Sequence, residues 1–163
     1  MKKILLTILI LLVAFSAEAK KKNKNALEVP AGSNVPNLGM AFDASYDGST
    51  DGIIPGYKIL SVAMTNNSIN IIQLNLDSDK WQVVDIKKRK HKAIIDIKTE
   101  DPDTFLALQP KLRKLIEYPP IIQVGETKVI DLLVKNSVKL DGFRSVLYTN
   151  GETGQTIEIT AQD

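Results

Sequence analysis

Residues 57–86 read YKILSVAMTNNSINIIQLNLDSDKWQVVDI, a pattern that predicts three consecutive antiparallel strands. The first two runs, residues 57–64 and 69–76, are rich in isoleucine, leucine and valine, and side chains branched at Cβ pack well on a pleated sheet. Asn66-Asn67 lies between them and suits a hairpin turn, because asparagine tolerates a positive φ. Residues 80–86 form the third predicted strand, and we expect the later strands to pair with these three.

Side-chain phasing places particular residues of these strands in a core. Ile72, Leu74 and Leu76 share one face of the second predicted strand, so we expect Leu74 to be deeply buried. In the first strand apolar residues occupy both faces, as in a central strand that is covered on both sides. The third strand carries Trp81, the only tryptophan of the chain.

The first nineteen residues have the pattern of a bacterial export signal. Lys2 and Lys3 precede an apolar run at residues 4–15, and Ala17-Glu18-Ala19 is a small-x-small site of the kind that signal peptidase cleaves. The apolar run is too short to span a bilayer comfortably. We therefore predict a periplasmic or secreted protein with no transmembrane span after cleavage. Its mature N-terminus should lie near Lys20, and mass spectrometry of native protein that still begins at Met1 would contradict this.

The chain of 163 residues divides into three predicted regions. Residues 1–19 are the signal peptide, and residues 20–52, charged at first and then rich in Asn, Pro, Gly and Ser, are a flexible leader that could add an edge strand. Residues 53–163 are the predicted β-sandwich domain. Subtracting the two lysines and one glutamate of the signal from totals of 21 and 19 leaves 19 basic and 18 acidic side chains, so bulk charge indicates no particular partner.

The composition excludes several kinds of site. The chain contains no cysteine, which excludes a disulfide framework, a cysteine nucleophile and cysteine-ligated zinc. A single histidine, His91, excludes any site that needs two. The G-x-S-x-G and H-E-x-x-H motifs are also absent. We therefore expect neither enzymatic activity nor a cofactor.

One loop resembles the opening of a calcium-binding loop. Asp47, Ser49, Asp51 and Gly52 match the first positions of an EF-hand, in which oxygen ligands alternate before a glycine. The closing acid of that motif would fall at Lys58, and no helix pattern flanks the loop. A polar turn is the favoured interpretation, and calcium binding is left open.

The rest of the chain predicts further short strands and one helix. Asp101-Pro102 has the pattern of a helix start, an Asx N-cap followed by proline, and Pro110 should bend or divide the helix. Further strands are predicted at residues 93–98, 121–124, 128–134, 143–149 and 155–161. We therefore expect an all-β fold, an antiparallel sandwich of seven or eight strands with one short helical insertion.

A basic run lies between the third and fourth predicted strands, at the tip of a hairpin. Its cationic residues are the candidate binding site, called the basic tip below: Lys87, Lys88, Arg89, Lys90 and Lys92. They could bind an anionic surface such as lipid headgroups or an acidic glycan, or they could form a solvated turn that prevents edge aggregation. No aromatic residues interleave the charges, so nucleic acid is not an expected partner. His91 is predicted to be a half-buried strand-end residue with no evident titratable partner.

The order of elements resembles that of bacterial exported immunoglobulin-like domains. The resemblance lies in a strand, an Asn-rich turn (VAMTNNSINIIQLNL, residues 62–76) and a strand that carries Trp81 and leads to Asp85. It covers residues 57–161, lacks the paired cysteines of antibody domains and contains the helix as an insertion. The resemblance implies an immunoglobulin-like sandwich with a role in adhesion, assembly or ligand presentation.

Three functions follow as hypotheses. The first is a non-enzymatic domain that binds or helps to assemble another cell-envelope component. The second is a hydrolase of the cell wall that uses carboxylates, with Asp85, Asp96 and Asp131 as candidates. The third is a periplasmic chaperone-like module that acts through an exposed strand edge. A cleft that holds two close acids would favour the second, and a flat face or an open edge would favour a binding module.

Overall fold

The computed structural model describes Leu27–Glu28 and residues 39–160, and the predicted signal peptide lies outside the described residues. These residues form mostly antiparallel sheet with three short helices, so the all-β prediction is confirmed. The sequence predicted seven or eight strands, whereas ten are present in the described part of the chain. They are β1 (Leu27–Glu28), β2 (Met40–Tyr46), β3 (Tyr57–Asn66), β4 (Ile72–Gln73), β5 (Lys80–Val84), β6 (Lys90–Ala93), β7 (Ile121–Ile122), β8 (Thr127–Lys135), β9 (Ser145–Thr149) and β10 (Thr156–Thr160).

The helices occupy the connection between β6 and β7. They are α1 (Ile97–Glu100), α2 (Pro102–Ala107) and α3 (Pro110–Leu115). The predicted start at Asp101 is confirmed, because its side chain accepts a hydrogen bond from the backbone N–H of Thr104 at 3.2 Å. Pro110 divides the helix as predicted. The predicted strand at residues 93–98 lies earlier in the chain, as β6 and the bridging residue Ile94, and its predicted C-terminal end is wrong because α1 begins at Ile97. Asp96 caps α1 by accepting from the N–H of Thr99 at 3.3 Å.

Two four-stranded sheets form the body of the fold. Their orders are β1-β2-β3-β8 and β10-β9-β5-β6, with antiparallel pairing throughout. β4 pairs only with β7. β2 pairs with β3 along its whole length and buries Met40 and Phe42, where the sequence predicted a leader with at most an edge strand.

The predicted hairpin between residues 57–64 and 69–76 does not form. The side chain of Asn66 is buried and donates to the carbonyl oxygens of Asn70 at 2.7 Å and Ile122 at 3.0 Å. These bonds attach the chain after β3 to β7, so it does not turn back along β3. β3 and β5 consequently lie in different sheets, and the prediction of three consecutive antiparallel strands is wrong.

The two sheets are joined at one side by a single bridge. Ile94, which follows β6, donates to the carbonyl of Leu133 in β8 at 2.8 Å and accepts from its N–H at 2.9 Å. At the other side β1 and β2 lie against β10. The bridge therefore pairs the C-terminal end of β6 with a strand of the other sheet.

The core lies between the two sheets. Leu74, only 7% exposed, belongs to it, which confirms its predicted burial. Trp81 from β5 stacks on Tyr148 from β9, with ring centroids 4.6 Å apart. A second apolar cluster lies under the helices, on the outer face of the first sheet: Ile54, Tyr57, Ile59, Ile94, Ile97, Leu108, Ile116 and Leu133. β3 contributes to both clusters, so its predicted burial on two faces is confirmed at its N-terminal end.

Candidate functional site

The β5–β6 hairpin, which carries the basic tip, closes through a short loop. Val84 and Lys90 are the last paired residues, and Asp85 donates its N–H to the carbonyl of Arg89 at 3.0 Å. Within the loop the N–H of Lys88 donates to the carbonyl of Asp85 at 2.9 Å, and Lys88 has a φ of 62°. A turn followed by a left-handed residue is a common form of three-residue hairpin loop, and its left-handed position favours glycine. Lys88 therefore occupies a position at which a side chain is strained.

Asp85 holds this loop from the inside. Its carboxylate is buried, and Oδ1 accepts from the backbone N–H groups of Lys87 at 2.8 Å and Arg89 at 2.9 Å. Oδ2 accepts from Nε of Arg89 at 2.8 Å and lies 3.0 Å from Nε2 of His91. The hydrogen bond with His91, followed by those from Arg89 and Lys87, holds the pKa of Asp85 well below its usual range, although burial acts in the opposite direction. Asp85 is thus an ionised internal anchor.

The structure divides the predicted basic tip into two groups. Arg89 pairs with the buried carboxylate of Asp85, and Lys92 pairs with the exposed carboxylate of Glu100 in α1, so both already have an acidic partner. Lys87, Lys88 and Lys90 are exposed, and none of them forms an ion pair with a described residue. These three are called the free lysines below. They are the part of the basic tip that is open to a partner.

His91 also differs from its expected role. Its side chain is half-buried, as predicted, but it has a titratable partner, the carboxylate of Asp85. Sequence reasoning missed this contact, because it placed Asp85 in a strand and began the hairpin tip only after residue 86. β5 ends at Val84, which brings Asp85 into the loop and within reach of His91.

Ile86 is a residue of this site that the sequence prediction missed. It follows Asp85 at the apex of the loop and is 63% exposed. One side of it lies over Gly142, since a Cβ at position 142 would be 3.8 Å from Cγ2 of Ile86. The sequence does contain a signal for it, because Ile86 is an apolar residue between an aspartate and two lysines. The strand prediction instead placed Ile86 at the end of the strand at residues 80–86.

The three carboxylates of the hydrolase hypothesis are each used separately. Asp85 anchors the hairpin and Asp96 caps α1, while Asp131 of β8 accepts a hydrogen bond from the hydroxyl of Ser61 at 2.6 Å. Within residues 39–160 no group of three His, Cys, Asp or Glu side chains is arranged to hold a metal ion. These three residues do not form a common site.

A different set of acids, Asp77, Asp79 and Glu100, lines one cavity of about 480 Å³ beside β5. Oδ2 of Asp79 accepts from the hydroxyls of Tyr118 at 2.8 Å and Tyr148 at 3.3 Å, and from the N–H of Asn75 at 2.9 Å. Burial, aided by the charge of Asp79, raises the pKa of both tyrosines, so they remain neutral donors. General acid–base catalysis needs a carboxyl oxygen that can reach the substrate.

Two of the three acids of this cavity, Asp79 and Glu100, are already engaged, and Asp77 is exposed to solvent. Oδ1 of Asp79 accepts from the N–H of Gly151 at 2.8 Å, and Trp81 joins the same network by donating to Tyr118 at 3.2 Å. Glu100 is paired with Lys92. The arrangement ties β5, β9 and the segment after α3 together, which is a structural role.

The loop at residues 47–52 forms a polar turn around Gly48–Thr50. Asp47 caps it by accepting from the N–H of Ser49 at 2.9 Å. Both carboxylate oxygens of Asp51 accept from the hydroxyl of Tyr46, at 2.9 and 2.8 Å, and Lys58 lies 3.7 Å away. The acidic residues of the loop therefore have partners within the turn and the adjacent strands.

Comparison with known proteins assigns no family to the chain. No family model, curated protein or solved structure matches it. Among the helices that the structure describes, none is long and apolar enough to cross a membrane. The functional conclusion is therefore drawn from the geometry of the hairpin.

Proposed function

We propose that this chain is an exported, non-enzymatic domain that binds an anionic component of the bacterial cell envelope through the free lysines. The observation that carries the proposal is the Asp85 anchor. It fixes the hairpin loop from inside, while three ammonium groups close in sequence stay in solvent without an acid partner among the described residues. A fixed cluster of like charges raises the local concentration of anions and orients them before contact.

The immunoglobulin-like fold is part of the same proposal, and the strand order supports it. β2, β3 and β8 follow the order A-B-E of such domains, and β10, β9, β5 and β6 follow the order G-F-C-C′. Trp81 lies on the strand in the position of C, where immunoglobulin domains carry a buried tryptophan, and packs on Tyr148 of the strand in the position of F. Domains of this kind expose loops at the ends of the sandwich, and the β5–β6 loop is one of these.

Export and the absence of catalysis are supported by separate observations. The charged, apolar and small-x-small pattern of residues 1–19 supports export to the periplasm or beyond. The internal engagement of Asp79, Asp85, Asp96 and Asp131 supports a binding role over carboxylate catalysis. A chaperone-like role through the β6 edge is not favoured, because lysines line that edge and the Ile94 bridge closes its C-terminal end.

Binding to anionic surfaces tests the proposal. The parent and the triple variant Lys87→Ser, Lys88→Gly and Lys90→Ser are compared on phosphatidylglycerol vesicles and on an immobilised acidic polysaccharide. Glycine is chosen at position 88 because it adopts the left-handed conformation without strain. We expect the parent to bind one of the two surfaces more weakly as salt rises. The triple variant should bind about a hundredfold more weakly, since a lysine near an anionic surface contributes about 1 kcal/mol.

The matched control removes three exposed lysines from the helical face: Lys98→Ser, Lys111→Ser and Lys114→Ser. Equal loss of binding in this control would mean that net charge alone is responsible, and no binding of the parent at low salt would also contradict the proposal. Arg89 is left unchanged in both variants. Its removal should lower the melting temperature, because it takes two donors from the buried carboxylate of Asp85.

A further inference from the structure

We infer that the anionic surface is a lipid bilayer, and that Ile86 enters its headgroup region while the free lysines contact the lipid phosphates. This inference rests on the proposed function, because it names the partner of the same site. Vesicles of phosphatidylglycerol represent that partner in the experiment below.

The first support is the position of Ile86. It is 63% exposed at the apex of a loop, immediately before Lys87 and Lys88. The backbone of the loop is held by the carboxylate of Asp85, which accepts from the N–H groups of Lys87 and Arg89. An exposed apolar side chain that is followed in the chain by exposed lysines has the composition of membrane-surface anchors, in which apolar groups lie below the headgroups and cations lie at their level.

The second support is the difference between candidate surfaces. A hydrated acidic polysaccharide offers charge to the free lysines but no apolar phase for Ile86. An anionic bilayer offers both, and each acts through its own physical effect: apolar burial, and attraction that salt screens. The bilayer is therefore the surface that can use both Ile86 and the free lysines.

The third support is Lys88. Its φ of 62° belongs to the region that favours glycine, and Lys88 is the only non-glycine residue with a positive φ in the described chain. A side chain retained in a strained position points to a role of that side chain. In this loop the strained position carries a cation two residues after Ile86.

The experiment separates the apolar and the charged contributions. Partition to vesicles of phosphatidylglycerol and phosphatidylcholine is measured for the parent, Ile86→Ser and the matched control Leu106→Ser, whose leucine is 66% exposed on α2. We expect Ile86→Ser to bind about tenfold more weakly with an unchanged dependence on salt, because only an apolar contact is lost. Leu106→Ser should bind as the parent does.

A second measurement reports depth. In Ile86→Trp the new indole should shift its emission to shorter wavelength on vesicle addition and be quenched by brominated lipid. The native Trp81 is 2% exposed, so the parent should show neither change.

The outcomes distinguish the inference from the proposed function. If Ile86→Ser binds vesicles as well as the parent while the triple lysine variant does not, the lysines bind the surface without insertion. The inference then fails and the proposed function stands. If the parent binds the acidic polysaccharide but not the vesicles, the inference also fails and the proposed function also stands. If the parent binds neither surface at low salt, both fail.

Discussion

Asp79→Ala is expected to lower the free energy of unfolding by about 3–5 kcal/mol, because it leaves two buried hydroxyls and two partly buried backbone N–H groups without an acceptor. The hydroxyls of Tyr118 and Tyr148 and the backbone N–H groups of Asn75 and Gly151 all donate to this one carboxylate. Each unsatisfied buried group costs about 1–3 kcal/mol, and some of them can find water after the change. Unfolding in urea, followed by fluorescence of the buried Trp81, measures the effect.

Two variants show whether the loss comes from the hydrogen bonds. Asp77→Ala removes an exposed neighbouring carboxylate, and should change the unfolding free energy by less than about 0.5 kcal/mol. Asp79→Asn keeps the shape of the side chain and one acceptor oxygen, so its free energy of unfolding should fall by less than that of Asp79→Ala. If Asp79→Ala and Asp77→Ala were equally stable, water would replace the hydrogen bonds of Asp79 fully, and the network would add nothing to stability.

Leu74→Ala is expected to cost about 2–5 kcal/mol, the range for emptying a packed site. Leu74 is 7% exposed in the main core, and its backbone N–H is fixed to the carbonyl of Pro120 at 2.9 Å, which limits how far the site can collapse. Leu76→Ala is the control, since Leu76 is 42% exposed. Denaturant titration should separate the two variants clearly. A loss for Leu74→Ala within about 0.5 kcal/mol would show that the site repacks.

Local patterns in the sequence were sufficient to place most strands and the helix start. β3, β8 and β9 lie where runs of branched and aromatic residues predicted them, and Asp101-Pro102 begins a helix. The burial of Leu74 was also predicted correctly, although the strand to which it was assigned is reduced to Ile72–Gln73. These features depend on residues within one segment, whose alternation a sequence records directly.

Strand pairing could not be predicted in this way. Asn66-Asn67 has the composition of a hairpin turn, but the side chain of Asn66 is used for carbonyls of later segments, one of them 56 residues away in sequence. The partners of β3 are β2 and β8, and no local pattern records that choice. Adjacent strands in sequence were therefore assigned to one sheet when they belong to two.

The candidate site was predicted in its residues but not in their roles. The run of cations was visible, yet only Lys87, Lys88 and Lys90 remain open, because Asp85 and Glu100 take the other two. The predicted strand at residues 80–86 included Asp85, so the sequence did not reveal that its carboxylate holds the loop. Which cations are paired and which are free depends on where β5 ends. The strand was predicted to end two residues later than it does, and this difference hid the role of Asp85.

The long separation of paired residues in both sheets has a consequence for the rate of folding. Ser61 of β3 bonds to Asp131 of β8 across 70 residues, and Tyr148 of β9 reaches Asp79 across 69. Domains dominated by such distant contacts fold in about milliseconds to seconds, because a large loop must close before β3 can pair with β8 and before β5 can pair with β9. Neither sheet can be completed until β8 and β9 have been synthesised. Most of the chain must therefore be made before either sheet is complete, and such late completion suits the proposed export, in which a polypeptide crosses a membrane before it folds.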